Sequence, residues 1–86
     1  MPRKASVLIV DDEDKLRHYL KKELLRGGYE VQAAGDGQEA LNLLARQIAD
    51  VVLLDICLPG ETGVAVLEKI RREHPLAKVE IGRAHV

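Results

Sequence analysis

Tryptophan and phenylalanine are absent from these 86 residues and tyrosine occurs only twice, so the aromatic platforms on which unpaired bases stack are missing. A single cysteine, Cys57, excludes an internal disulfide and makes a reducing compartment, the cytoplasm, the expected one. No run of 18 apolar residues and no signal-like segment occurs, so neither a membrane span nor export is expected. Charge of one sign is not in excess either. Thirteen Lys and Arg against 14 Asp and Glu give a net charge of -1, with no basic stripe to follow a nucleic-acid backbone or an anionic membrane. A partner must therefore be chosen by a site and not by bulk charge.

What is present is mostly aliphatic. Thirteen Leu, nine Val, nine Ala and five Ile, within 47% apolar and 31% charged residues, suit one small globular domain. Residues 6–10, Ser-Val-Leu-Ile-Val, stop at Asp11-Asp12-Glu13-Asp14, the pattern of a strand buried on both faces followed by a helix start. From Asp14 to Arg26, Leu16, Tyr19, Leu20, Leu24 and Leu25 recur at helical spacing, and Gly27-Gly28 supplies a stop. Residues 29–33 alternate with period two, as an edge strand does. Asp36 and Glu39 form a capping-box pattern ahead of a stripe of Ala40, Leu41, Leu44, Ala45 and Ile48. Residues 51–54 are a second continuous apolar run, framed by Asp50 and Asp55, after which Pro59-Gly60 forces a loop. Thr62 caps a third helix carrying Val66, Leu67 and Ile70, which must end near His74 because Pro75 follows. Lys78-Val79 starts a further strand. Strands alternating with helices predict an α/β fold with a doubly wound parallel sheet, of which the N-terminal β-α-β-α-β-α part is present.

In such sheets ligands bind beyond the carboxyl ends of the strands, where strand order reverses. Asp11 and Asp12 leave the first strand and Asp55 leaves the third, so three carboxylates converge if those strands are neighbours. Two unit charges about 4 Å apart repel by roughly 4 kcal/mol at an effective dielectric of 20, a large fraction of a small domain's stability. A bound cation is the natural remedy, and oxygen-only ligands with room for water and phosphate favour Mg2+ over zinc. A carboxylate facing such a metal can attack a phosphoryl group, because the metal neutralises charge on the transferring oxygens. Taken alone, Asp11 and Asp12 are more often helix-start acids than metal ligands, and a lone Asp55 after a buried strand is usually a loop or cap residue. The Cys57 side chain reads as a small filler, and His18, His74 and His85 share no ligand spacing.

The segments Val7-Leu8-Ile9-Val10-Asp11-Asp12-Glu13 and Leu53-Leu54-Asp55-Ile56-Cys57-Leu58-Pro59-Gly60-Glu61-Thr62-Gly63 together resemble the receiver domain of bacterial two-component response regulators. The shared features are an acid pair after strand one, an acid ending strand three, a proline four residues later and a glycine eight later. The resemblance covers about residues 6–79 and implies a flavodoxin-like sheet of order 2-1-3-4-5. It implies that Asp55 accepts a phosphoryl group from a sensor histidine kinase or a histidine phosphotransfer domain, as a signalling module and not an enzyme. It also implies that Asp12 and Asp55 ligate Mg2+ directly, Asp11 through water, and the Cys57 backbone carbonyl as a further donor, with Pro59 and Gly63 shaping the loop. Residues 15–19 would meet the kinase, and the intact parent would regulate transcription through an output domain and could form a receiver homodimer.

The family pattern fails after residue 79. A receiver also needs a Ser or Thr ending strand four and a Lys ending strand five. At the hydroxyl's distance from Asp55 stand Arg83-Ala84-His85, and no fifth strand follows. Residues 80–86, Glu-Ile-Gly-Arg-Ala-His-Val, match the translation of a common sequencing adapter. Residues 1–5 are accordingly read as a tail, 6–79 as an incomplete receiver and 80–86 as a non-native, adapter-derived tail. Truncation is expected to leave the third strand at or next to an unsealed edge, to uncover apolar helix faces and to favour aggregation. Two other readings stay open. A degenerate receiver would serve only as a protein-interaction module. Gly35-Asp36-Gly37-Gln38-Glu39-Ala40 is a formal dinucleotide-binding G-x-G-x-x-A, although Asp36 would then face an anionic pyrophosphate.

Overall fold

Five-residue strands alternate with helices along the chain in a computed structural model that describes residues 4–58 and 62–82. The elements are β1 (Ser6–Val10), α1 (Asp14–Arg26), β2 (Glu30–Ala34), α2 (Gly37–Arg46), β3 (Val51–Asp55), α3 (Gly63–Glu73) and β4 (Lys78–Gly82). All pairings are parallel and the strand order is β2-β1-β3-β4, which matches the expected doubly wound sheet. The chain steps from β1 to β2, then back across β1 to β3. Right-handed crossovers therefore put α1 on one face and α2 with α3 on the other.

Period-two alternation divides the strand side chains between those faces. Leu8, Val10, Val52 and Leu54 turn toward α2 and α3 and join Ala40, Leu44, Val66 and Ile70 in the core. Ile9 and Leu53 turn the other way, toward Leu16 and Leu20 of α1, around a cavity of about 300 Å³. Asp50 aligns the N-terminal ends of three strands. Its N–H donates to the Ser6 carbonyl at 2.8 Å, its Oδ2 accepts from the Ser6 N–H at 2.7 Å, and its carbonyl accepts from the Lys78 N–H at 2.9 Å.

The helix signals act as expected at most ends. Thr62 Oγ1 accepts from the Ala65 N–H at 3.1 Å, and Asp36 Oδ1 from the Glu39 N–H at 2.8 Å. The return bond of Glu39 goes to the Gly35 N–H, one residue before the cap. α1 ends at Gly27-Gly28, where Gly28 has φ +93°, a left-handed conformation that favours glycine.

Several expectations are corrected. β2 covers Glu30–Ala34, one residue later than the alternation suggested. No residue of α1 is buried, and Tyr19 and Leu25 are more than half exposed, because a single helix covers that face incompletely. α2 stops at Arg46, so the apolar stripe does not continue, and Ala45 and Ile48 are exposed. Cys57 is exposed on the loop after β3 and fills no space in the core. β4 starts at Lys78-Val79 as expected and runs to Gly82, pairing Glu80, Ile81 and Gly82 with Leu53, Leu54 and Asp55. Backbone pairing needs only an extended chain beside β3, and the residues at 80–82 remain exposed. β3 is thus next to the outer strand of the sheet.

Candidate functional site

The register Val10↔Leu54 carries the next residues, Asp11 and Asp55, side by side out of neighbouring strands. This is where strand order reverses, the place at which such sheets bind ligands. One carboxylate oxygen from each of Asp11, Asp12 and Asp55 lies within 4.8 Å of the other two. Asp11 and Asp55 are only 5% and 4% exposed, whereas Asp12 is open to solvent.

Local hydrogen bonds orient the buried pair. The Asp11 N–H donates to the Ala34 carbonyl at the end of β2 at 3.0 Å, and its Oδ1 accepts from the Glu13 N–H at 2.8 Å. Asp55 Oδ1 accepts from the Cys57 N–H at 2.9 Å. Asp55 Oδ2 is buried and has no hydrogen-bond partner among the described residues. A buried polar oxygen without a donor is costly, so this atom calls for a ligand. A hard divalent cation suits an oxygen-only donor set, and the three carboxylates together could hold one.

The electrostatics agree. Burial raises the Asp11 carboxyl above its ordinary 3.8; the hydrogen bond from Glu13 opposes this, and the charges of Asp55, Asp12 and Glu13 add to it. A cation at the cluster would invert that balance.

The remaining expected residues fall as follows. A Cβ on Gly63 would sit 2.4 Å from Ile56 Cα and 2.5 Å from its carbonyl oxygen, which also accepts the Gly63 N–H at 3.0 Å. Only glycine lets α3 start this close to the loop leaving β3. Pro59 and Arg83-Ala84-His85 lie outside the described residues. Lys15, His18 and Tyr19 are exposed on α1. The glycine-rich turn at 35–40 is closed on itself, since Glu39 takes the Gly35 N–H and Asp36 takes the Glu39 N–H. It offers a pyrophosphate no open cradle there, which counts against the dinucleotide reading.

The sequence reading missed Arg17. Its Nη1 donates to the Asp11 carbonyl oxygen at 2.6 Å, and its Nη2 pairs with Asp14. In the sequence the only signal is Asp14 three residues before Arg17, which reads as an ordinary surface pair along a helix.

Comparison with known proteins agrees with this geometry. The profile of the response regulator receiver domain matches residues 7–85. The chain is 45% identical over 67 residues to the transcriptional activator protein PfeR of Pseudomonas aeruginosa, covering 78% of this chain and 22% of that protein. The crystal structure of the response regulator TrrA of Thermotoga maritima in complex with Mg2+-BeF superposes with a TM-score of 0.87 at 40% identity, over 94% of this chain and 70% of that one. TrrA in complex with the histidine kinase ThkA superposes equally well, with a TM-score of 0.87 at 39% identity over 95% and 71% of the two chains. The chain spans between 22% and 30% of the length of the curated relatives it matches. Parallel strands in the order 2-1-3-4, acids at the reversal point and a profile match along most of the chain lead to one family, and the protein belongs to the response regulator receiver domains.

Proposed function

We propose that the chain is the phosphoryl-accepting receiver of a two-component system, with Asp55 as the acceptor, Mg2+ as cofactor and a histidine kinase as donor. The observation that carries this reading is the buried Asp55 Oδ2, which has no hydrogen-bond partner among the described residues, in a cluster with the Asp11 and Asp12 carboxylates. Asp12 and Asp55 would hold Mg2+ directly, Asp11 through water, and the Cys57 backbone carbonyl would complete the protein donors. When bound, the ion supplies neutralisation of the charge on the transferring phosphoryl oxygens. The structures of TrrA with Mg2+-BeF and with ThkA support the choice of cofactor and partner.

The chain's own residues divide the work. The Cys57 N–H donates to Asp55 Oδ1 and helps to orient the carboxylate. As the Asp55 carboxylate bonds to phosphorus, the imidazole N–P bond of the phosphohistidine breaks and the nitrogen keeps the bonding pair. The product is an acyl phosphate on Asp55. Such a chain stores a phosphoryl group and does not turn over substrate, so it is a switch and not an enzyme. The cytoplasm is its compartment, because ATP charges the kinase there. The whole protein regulates transcription, in line with relatives such as PfeR.

The test is Mg2+-dependent labelling by acetyl phosphate, read by intact mass, with Asp55→Asn as the control. It is run on the chain and on a chimera that continues from Lys78 with the fourth and fifth strands of a curated relative. A single phosphoryl group on the chimera, lost with Asp55→Asn, is expected. A folded chimera that takes no phosphate would favour the interaction module. Residues 6–79 carry this proposal, and an adapter origin for 80–86 predicts that the intact gene departs from this chain after codon 79, which resequencing checks.

A further inference from the structure

We infer that Arg17 is a positioning residue for the acid cluster, fixing the peptide between Asp11 and Asp12 so that both carboxylates stay aimed at one ion. The inference rests on the metal-binding reading of the site.

Arg17 reaches from the first turn of α1 back over the loop that leaves β1. Its Nη1 donates to the Asp11 carbonyl oxygen at 2.6 Å, a charge-assisted bond. The guanidinium also lies against the loop leaving β2, since a Cβ on Gly35 would be 3.4 Å from Nη1. The Arg17 side chain is 24% exposed, against 87% for its partner Asp14, so its inward bond is the sheltered one.

That bond ends on the carbonyl of the peptide linking the two acids. The Asp11 N–H is already held by Ala34 and its Oδ1 by Glu13. With the Asp11 carbonyl held as well, the linking peptide cannot turn. Asp12, exposed at the end of that peptide, then stays within 4.8 Å of Asp11 and Asp55 although the three acids repel. Outer partners of this kind hold ligands in place for a metal they never touch.

A purely electrostatic role has the opposite sign. A guanidinium beside carboxylates competes with a cation, so removing its charge alone would tighten cation binding. Removing a positioning group loosens it.

The experiment titrates the full chain with MnCl2, reading free Mn2+ by its EPR signal, with MgCl2 as competitor and circular dichroism as the fold check. Arg17→Met is expected to weaken binding by roughly tenfold or more. Arg17→Lys should recover part of it, because an ammonium can still donate to one carbonyl. Asp14→Asn, which leaves the carbonyl bond in place, should stay near the parent. A folded Arg17→Met chain that binds Mn2+ as tightly as the parent, or more tightly, overturns the inference. Should Arg17→Met not fold, Arg17→Lys is compared with Asp14→Asn, and equal affinity overturns it. Asp55→Asn separates the two levels: parent binding that survives Asp55→Asn overturns the reading of the site itself.

Discussion

Among the described residues, six of the seven large side chains exposed by less than 2% lie between the sheet and α2 with α3, whereas the opposite face contributes only Ile9. At about 1.5–3 kcal/mol for each fully buried aliphatic side chain, the α2–α3 face supplies most of the hydrophobic stabilisation. The α1 face instead holds a cavity of about 300 Å³ lined by Leu16, Leu20, Leu53 and Ile81, with Asp11 and Asp55 at its rim. The acid cluster therefore sits on a seam. Its backbone is anchored by β1 and β3, which carry the tightly packed core on one of their two faces, while the helix that follows two of its acids belongs to the loose half. A bond such as that of Arg17 matters most at such a seam, because packing alone does not hold α1 against the loop.

The contrast between the faces can be broken or sharpened experimentally. The largest effect is expected for Ile70→Ala, at the centre of the tightly packed face, which should cost about 2–5 kcal/mol in urea unfolding. Leu20→Ala across the sheet, beside an existing cavity, should cost clearly less, and equal losses would contradict the asymmetry. Gly63→Ala should cost about 1–3 kcal/mol, since the new methyl meets the Ile56 backbone. It should also perturb the Ile56 and Cys57 amide resonances more than those of β2.

Asp11 gives a pH-dependent test. Its folded carboxyl holds a proton more tightly than the unfolded one, so the ion-free protein loses stability as pH rises from 3.8 through the raised folded value. Asp11→Asn removes that loss. In chelator the variant should be the more stable at about pH 7, with the difference shrinking toward about pH 4, and denaturant titrations at both values check it. A variant no more stable than the parent near neutrality would contradict the burial argument. The smallest effect belongs to Tyr19→Ser on the exposed side of α1, expected within about 0.5 kcal/mol of the parent.

Much of this was legible in the sequence. Continuous aliphatic runs ending in acids specify strands buried on both faces, and β1 and β3 are where residues 6–10 and 51–54 put them. Thr62 and Asp36 cap their helices because a short side-chain acceptor before an apolar stripe has few other uses. The amphipathic stripe of α1 was legible too, but such a stripe records what a helix can bury, not whether a second layer covers it. Ile48 misled for a related reason, as periodicity does not say where Gln47 turns the chain into an extended conformation. Arg17 was invisible because a bond from a side chain to a carbonyl six residues earlier leaves no periodic trace.

The most direct test of the central claim traps the acyl phosphate chemically. The strand-completed chimera is treated with acetyl phosphate and Mg2+, reduced with borohydride and mapped by peptide mass spectrometry. Phosphoryl transfer to the proposed acceptor predicts homoserine at position 55, formed only when Mg2+ is present. Homoserine at position 11 or 12, or none anywhere in a folded chimera, would contradict the account.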